Sequence, residues 1–430
     1  MTARSGHPAH RTTPLETIVP PPPETGTQFP VLDTLRAVGA LAVLTTHVAF
    51  WTGAYTRHGT WGALLARLDV GVALFFVLSG FLLGRPYLLR AAAGLGAPGT
   101  GRYLWKRFLR IYPLYAITVA LALGLIHDNR GASPGDWLTT LLMLDNHLGY
   151  GFPAGLTHMW SLAVEVAFYL VLPLLMLVGT GRHRPCRTLS PARVAALAAG
   201  MVAASVWWTL DGAGRVAEAT TTGEPTEWLP AYLSWFAVGI LLALLQVRQE
   251  RRPTGQRPGR LASAVEGLAR QPGVCWTLAG ALLLMASTPI AGPTMLASSE
   301  PTELLTKNLL YAAVGGLVVL TGAFPDASSA YQRTMAAPLG RRLGWISYGI
   351  FCLHLPILHL VMWTTGWPLF EGRGPAVWAL TVAISLVAAE AAYRVVERPA
   401  LRLKGIRPGG WRSGASKKHV STPTTGSSAR

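Results

Sequence analysis

The run Leu109 to Ile126, LRIYPLYAITVALALGLI, carries one charge, Arg110. As a helix it is about 27 Å long, close to the roughly 30 Å of hydrocarbon in a bilayer. Working outward, apolar runs of similar length recur, among them Val377 to Val396. Apolar length and Gly, Pro and charge punctuation predict helices near 32–51, 70–89, 109–126, 159–178, 194–211, 230–247, 274–290, 306–324, 343–365 and 376–396. The fold class is an all-α polytopic transmembrane bundle with about ten spanning helices. Composition agrees: of 430 residues 51% are apolar and 13% charged, against roughly one quarter charged in soluble domains.

The net charge of +17 raises the question of nucleic acid. The basic residues flank apolar helices, however, which is how membrane proteins mark their cytoplasmic loops. With both termini inside, only Arg57, Arg67, Arg130, Arg215, Lys307 and Arg373 of the 37 Lys and Arg fall outside; the inverted topology would expose nearly all of them. The same parity keeps Asp136 to Gly155 from spanning, since a crossing there would send Arg182-His183-Arg184 outward. That stretch is read as a re-entrant or interfacial element on the outer side. Residues 1–30, with Pro20-Pro21-Pro22-Pro23, lack the pattern of a secretory signal and are expected to form a disordered cytoplasmic tail. Residues 404–430 are expected to form a second, basic one, leaving 31–403 as the membrane domain. Cys186, Cys275 and Cys352 have no paired spacing, so neither a disulfide framework nor a metal site is expected.

Ionisable residues inside a span cost about 2.5–3.5 kcal/mol each on insertion scales and are candidates for function. The first helix carries Asp33, Arg36 and His47. Eleven residues separate Arg36 from His47, about three turns and 16 Å, so they share a face at different depths. Each has a plain structural reading: Arg36 snorkels to the inner headgroups and His47 satisfies a helix contact. Arg107 and Arg110, three apart beside Lys106, suit phosphate, although loop decoration explains Lys106 as well. The fourth helix carries His158, then Ser161, Glu165 and Tyr169 at every fourth position, and Glu165 needs a partner such as His47 or Arg36. His354, Glu390 and Glu397 read as structural polar contacts, and Ser79-Gly80 as a small-residue packing point. His147, Asp145 and His158 lie close in sequence but without trustworthy metal-ligand spacing.

Taken in order, four stretches resemble the membrane acyltransferase-3 family, which includes bacterial O-antigen acetylases and antibiotic-sugar acyltransferases. They are Leu32-Asp33-Thr34-Leu35-Arg36-Ala37 through His47; Phe75 to Leu82; Arg107 to Pro113; and Trp160-Ser161-Leu162-Ala163-Val164-Glu165. Ser347-Tyr348 with His354-Leu355-Pro356, and Val396-Glu397-Arg398-Pro399, echo it. The resemblance covers about residues 31–403. It implies that His47 is catalytic within the family's Arg-ten-His signature and that Arg107 and Arg110 form its acyl-CoA-associated Arg-x-x-Arg. One departure is Val166-Ala167, where the family often has a second acidic residue and a Gln. The implied activity is O-acylation, with acyl-CoA (acetyl-CoA) as cytosolic donor and no bound cofactor. The implied acceptor is a sugar hydroxyl on an envelope glycan, glycolipid or glycosylated metabolite, met at the plasma (inner) membrane.

On this reading Arg36, Arg107 and Arg110 hold the donor phosphates and His47 acts as general base. Glu165 orients or charge-compensates it, and Asp33, His158, Ser161, Tyr169 and His354 support the site on the acceptor side or around it. An acyl-histidine relay is the alternative route. A transporter of a small anionic or glycosidic solute is the rival class; it would show inverted repeats with helices broken in matching halves, which are not visible.

Overall fold

The computed structural model describes residues 28–148, 151–181, 189–221, 223–294 and 297–405, and all regular structure among them is helical. The expected tails fall outside these residues save 28–30 and 404–405, as do Arg182-His183-Arg184 and Cys186. Ten helices carry the fold: α1 Pro30–Trp51, α2 Val70–Ala92, α3 Thr100–Leu125, α4 Trp160–Thr180, α5 Pro191–Trp207, α6 Leu229–Glu250, α7 Pro272–Ala286, α8 Pro301–Ala323, α9 Pro338–Thr365 and α10 Gly374–Ala392. The predicted α3 and α9 begin too late because their first turns are basic; charged side chains at the membrane edge continue the helix beyond its apolar part.

Nine helical segments among the described residues are long and apolar enough to cross a membrane; α7, with 15 residues and about 22 Å, falls short. Its contacts show that it runs the full way beside α8. At its start, Trp276 Nε1 donates to Tyr331 OH, which bonds Thr321 near the end of α8. At its end, the buried Arg67 guanidinium donates to Ala286 O at 2.8 Å and Ala291 O at 3.0 Å, while Tyr311, in the first half of α8, donates to Arg67 O. Arg67 thereby satisfies carbonyls that end a helix without intrahelical partners. Both ends of the described chain meet at one basic face, where Gln28 and Lys404 line the same cavity.

Close helix approach shapes this bundle, since lipid supplies no hydrophobic drive between helices. A Cβ at Gly80 on α2 would stand 2.3 Å from Phe236 O, and one at Gly239 on α6 would stand 2.1 Å from Val77 O. Ser79-Gly80 is therefore a packing point, as the sequence suggests. The segment 134–148 forms an eight-residue helix, Pro134–Leu141, closed by a Ser133–Asp136 capping box, and a four-residue helix, Asp145–Leu148. Neither is long enough to cross. After α10 a π-helical turn, Tyr393–Glu397, re-aims the chain and turns Glu397 inward to 2% exposure.

Candidate functional site

A cavity of about 490 Å³ opens among α1, α2, α3, α4 and α9. Its lining holds six cationic side chains, Arg36, Lys106, Arg107, Arg110, Arg341 and Lys404, against two carboxylates, Asp33 and Glu165. Arg36 Nη1 lies 2.8 Å from Asp33 Oδ1, and Arg341 reaches the other oxygen of the same carboxylate at 3.9 Å. Arg110 Nη1 pairs with buried Glu397 at 2.6 Å, the contact that the π-helical turn delivers. Arg107 has a buried Nε without a hydrogen-bond partner, and its guanidinium sits 5.9 Å from the Tyr169 ring centroid. The lining carries a surplus of cations over carboxylates, a balance that favours an anionic ligand, and planar guanidinium groups suit phosphate.

Further in, Glu165 accepts hydrogen bonds from Ser79 Oγ and from Tyr169 OH, the latter at 2.6 Å. This corrects the expectation that His47 or Arg36 partners Glu165. The cause is depth: Glu165 lies seven residues, about 10 Å, inward of His158 along the α4 segment, and it is His158 that stands level with His47. Ser79, assigned only to packing, supplies the missing donor.

The inner wall comprises Phe75, Phe351 and Ser161, with Phe75 and Phe351 edge to face at 6.1 Å. Behind it lie three histidines from three helical segments. The His158 ring is 5.1 Å from Phe351 and 4.6 Å from His354, and His47 is 5.1 Å from His354 and 6.1 Å from His158. His47 Nδ1 approaches Val43 O at 2.8 Å and His354 Nε2 at 3.1 Å. His354, read as a structural contact, is thus a direct neighbour of His47.

The remaining candidates separate from this cluster. Asp145 is buried in the outer segment, where Thr140 donates to it at 2.9 Å and burial raises its carboxyl above the ordinary range. His147 stacks on Trp228 at 4.8 Å. Glu390 pairs with Arg342 and Arg394.

The sequence profile of the acyltransferase domain family, acyltransferase 3, matches residues 29–393, nearly the whole span that lines this cavity. The chain belongs to that family. It is 30% identical over 421 residues to acyltransferase MdmB of Streptomyces mycarofaciens, with 88% of this chain and 93% of that one covered. It is 24% identical over 388 residues to the peptidoglycan O-acetyltransferase OatA of Listeria monocytogenes, covering 86% of this chain and 55% of the relative. Identity with nodulation protein 10 of Rhizobium leguminosarum is 23% over 398 residues, covering 86% and 93%. The chain spans a little over half the length of the first relatives it matches. No solved structure matches it.

In this member of the family, sequence reading missed Arg341 and Lys404 as cavity residues. Both sit in basic segments that positive-inside decoration already explained, so only the packing of α1 against α9 and of the chain end against α3 reveals them. The His354-Leu355-Pro356 motif was a signal for His354, but its register against His47 depends on how α9 packs on α1.

Proposed function

We propose that this acyltransferase transfers an acetyl group from acetyl-CoA, bound at the basic face, to a hydroxyl of a sugar-containing acceptor at the plasma membrane. The observation that carries the proposal is a cation-lined cavity whose wall residue Phe351 packs 5.1 Å from His158 of the histidine cluster. Acyl-CoA presents a diphosphate and a ribose phosphate at one end and a thioester at the other. Such a donor fits guanidinium groups at the mouth and a base deeper in, about 16 Å apart along α1. The peptidoglycan O-acetyltransferase name of the Listeria relative supports O-acetylation and a glycan acceptor.

In this mechanism Arg36, Arg107, Arg110 and Arg341 hold the phosphates, and the acyl end passes Phe351 to reach His47. His47 Nε2 takes the acceptor hydroxyl proton as the oxygen bonds the thioester carbonyl carbon. The tetrahedral adduct breaks its C–S bond, and the imidazolium returns its proton to the departing CoA sulfur. Glu165, held by Ser79 and Tyr169, shapes the passage rather than orienting His47. Asp33 and Ser161, which line the same cavity, serve as supporting residues in this reading.

Membranes holding wild-type or His47→Ala protein at matched levels test the proposal with radiolabelled acetyl-CoA. Label in the glycan or glycolipid fraction with the wild type, lost with His47→Ala, is the expected result. Equal label with both rejects His47 as the base, and no label with either rejects the donor.

A further inference from the structure

His354 is fully buried on α9, and both its ring nitrogens have defined neighbours. Nδ1 lies 2.7 Å from Phe351 O and 3.2 Å from Ile350 O, while Nε2 lies 3.1 Å from His47 Nδ1. A carbonyl oxygen can only accept, so Nδ1 carries hydrogen and Nε2 of the neutral ring is bare. His47 Nδ1 then stands between two acceptors, Val43 O and His354 Nε2, and must carry a hydrogen itself. Assigned from partners in this way, the tautomers leave His47 Nε2 with an open lone pair, the atom a general base needs.

A base of this kind needs a neighbour that stabilises its protonated form, commonly a carboxylate. None touches His47. Asp69, at the outer end of α2, is engaged by Lys307 and Tyr311. Glu165 on α4 is engaged by Ser79 and Tyr169. From the segment before α4, His158 faces the pair, its ring 6.1 Å from that of His47 and 4.6 Å from that of His354. On α9 itself, Tyr348 donates to Ile111 O at 2.7 Å, Cys352 is buried, and His359 packs on Trp51. The side-chain acceptor aimed at His47 is His354 Nε2.

We propose that His354 is the positioning residue for His47: its bare Nε2 holds the His47 Nδ1–H and shares the positive charge when His47 Nε2 takes the acceptor proton. A second imidazole thus does here what a carboxylate does in an Asp–His pair, without placing a permanent anion in the membrane. The Nδ1 hydrogen stays on His47, shared between His354 Nε2 and Val43 O, and the transferred proton leaves from Nε2 to the CoA sulfur. The catalytic consequence rests on the proposed acetyltransferase reading; the hydrogen bond itself does not.

Two readouts keep these apart. In protein carrying ¹⁵N in its histidine rings, a ¹⁵N–¹⁵N coupling between His47 Nδ1 and His354 Nε2, with both signals assigned by substitution, reports the bond without any substrate. Its presence is expected, and its absence overturns the proposal whatever the donor is. In the transfer assay, His354→Phe keeps the ring volume but removes the acceptor. It is expected to lower kcat about 10²-fold, the upper end for partners that orient a ligating or reacting histidine. The donor KM should stay within about twofold of wild type. His354→Gln, whose amide oxygen can reach the Nε2 position, should recover to within about tenfold of wild type. Wild-type kcat in His354→Phe, or equal losses in Phe and Gln variants that both still bind donor, overturns the positioning role. Loss of donor binding in both variants assigns His354 to packing alone and overturns it equally. Wild type inactive with acetyl-CoA, with the coupling present, condemns the donor assignment and leaves the pair standing.

Discussion

The cavity mouth and the histidine cluster behind its inner wall solve opposite electrostatic problems. At the mouth, arginines that cannot shed their charge outnumber carboxylates, and the basic face gives them access to water and anions. Behind Phe75 and Phe351 the ionisable groups are imidazoles, which are neutral unless they take a proton and so cost little to bury. Permanent charge stays where a ligand can neutralise it, and the deep site carries charge only during a proton transfer. On the proposed function, the mouth serves affinity and the cluster serves rate.

Substitutions sharpen that division. His47→Ala should show the largest effect, a loss of about 10³-fold or more in transfer rate with donor binding retained, measured by initial rates and by binding of a non-reactive thioether analogue of acetyl-CoA. Arg110→Leu should act on folding as well as on donor binding. It strands buried Glu397, and breaking such a pair by removing one partner costs about 3–5 kcal/mol. Yield and thermal midpoint in detergent check this, and Arg110→Leu combined with Glu397→Leu should regain much of the loss. Arg107→Gln should raise the donor KM about tenfold with kcat nearly unchanged, and the wild-type KM should rise with ionic strength. Smallest is Ser79→Ala, which leaves Tyr169 as a donor to Glu165 and should cost about threefold or less in kcat/KM. A kcat effect from Arg107→Gln as large as that from His47→Ala would break the division between the two regions.

Much of this was legible in the sequence, for reasons that differ by residue. Apolar length locates the ten helices, because a bilayer imposes one period and one length. The shared face of Arg36 and His47 follows from helical geometry alone, and Arg107 and Arg110 from their spacing. What escaped was register between helices. Glu165 is paired with Ser79 rather than His47 because α4 sits about two turns deeper against α1 than simple partner-seeking suggests. Arg341 and Lys404 reach the cavity through the packing of α9 and of the chain end, and Glu397 reaches Arg110 through a π-helical turn, none of which leaves a periodic trace. A buried Arg67 closing α7 likewise looks, in sequence, like one more loop arginine.

The measurement that tests the account most directly is equilibrium binding of the thioether analogue to wild type, His47→Ala and an Arg107→Gln/Arg341→Gln double variant, alongside acetyl transfer by each. The account predicts that His47→Ala binds like wild type but does not transfer, and that the double variant binds at least tenfold more weakly while transferring at a near-normal rate when saturated. Binding abolished by His47→Ala, or unchanged in the double variant, would contradict it.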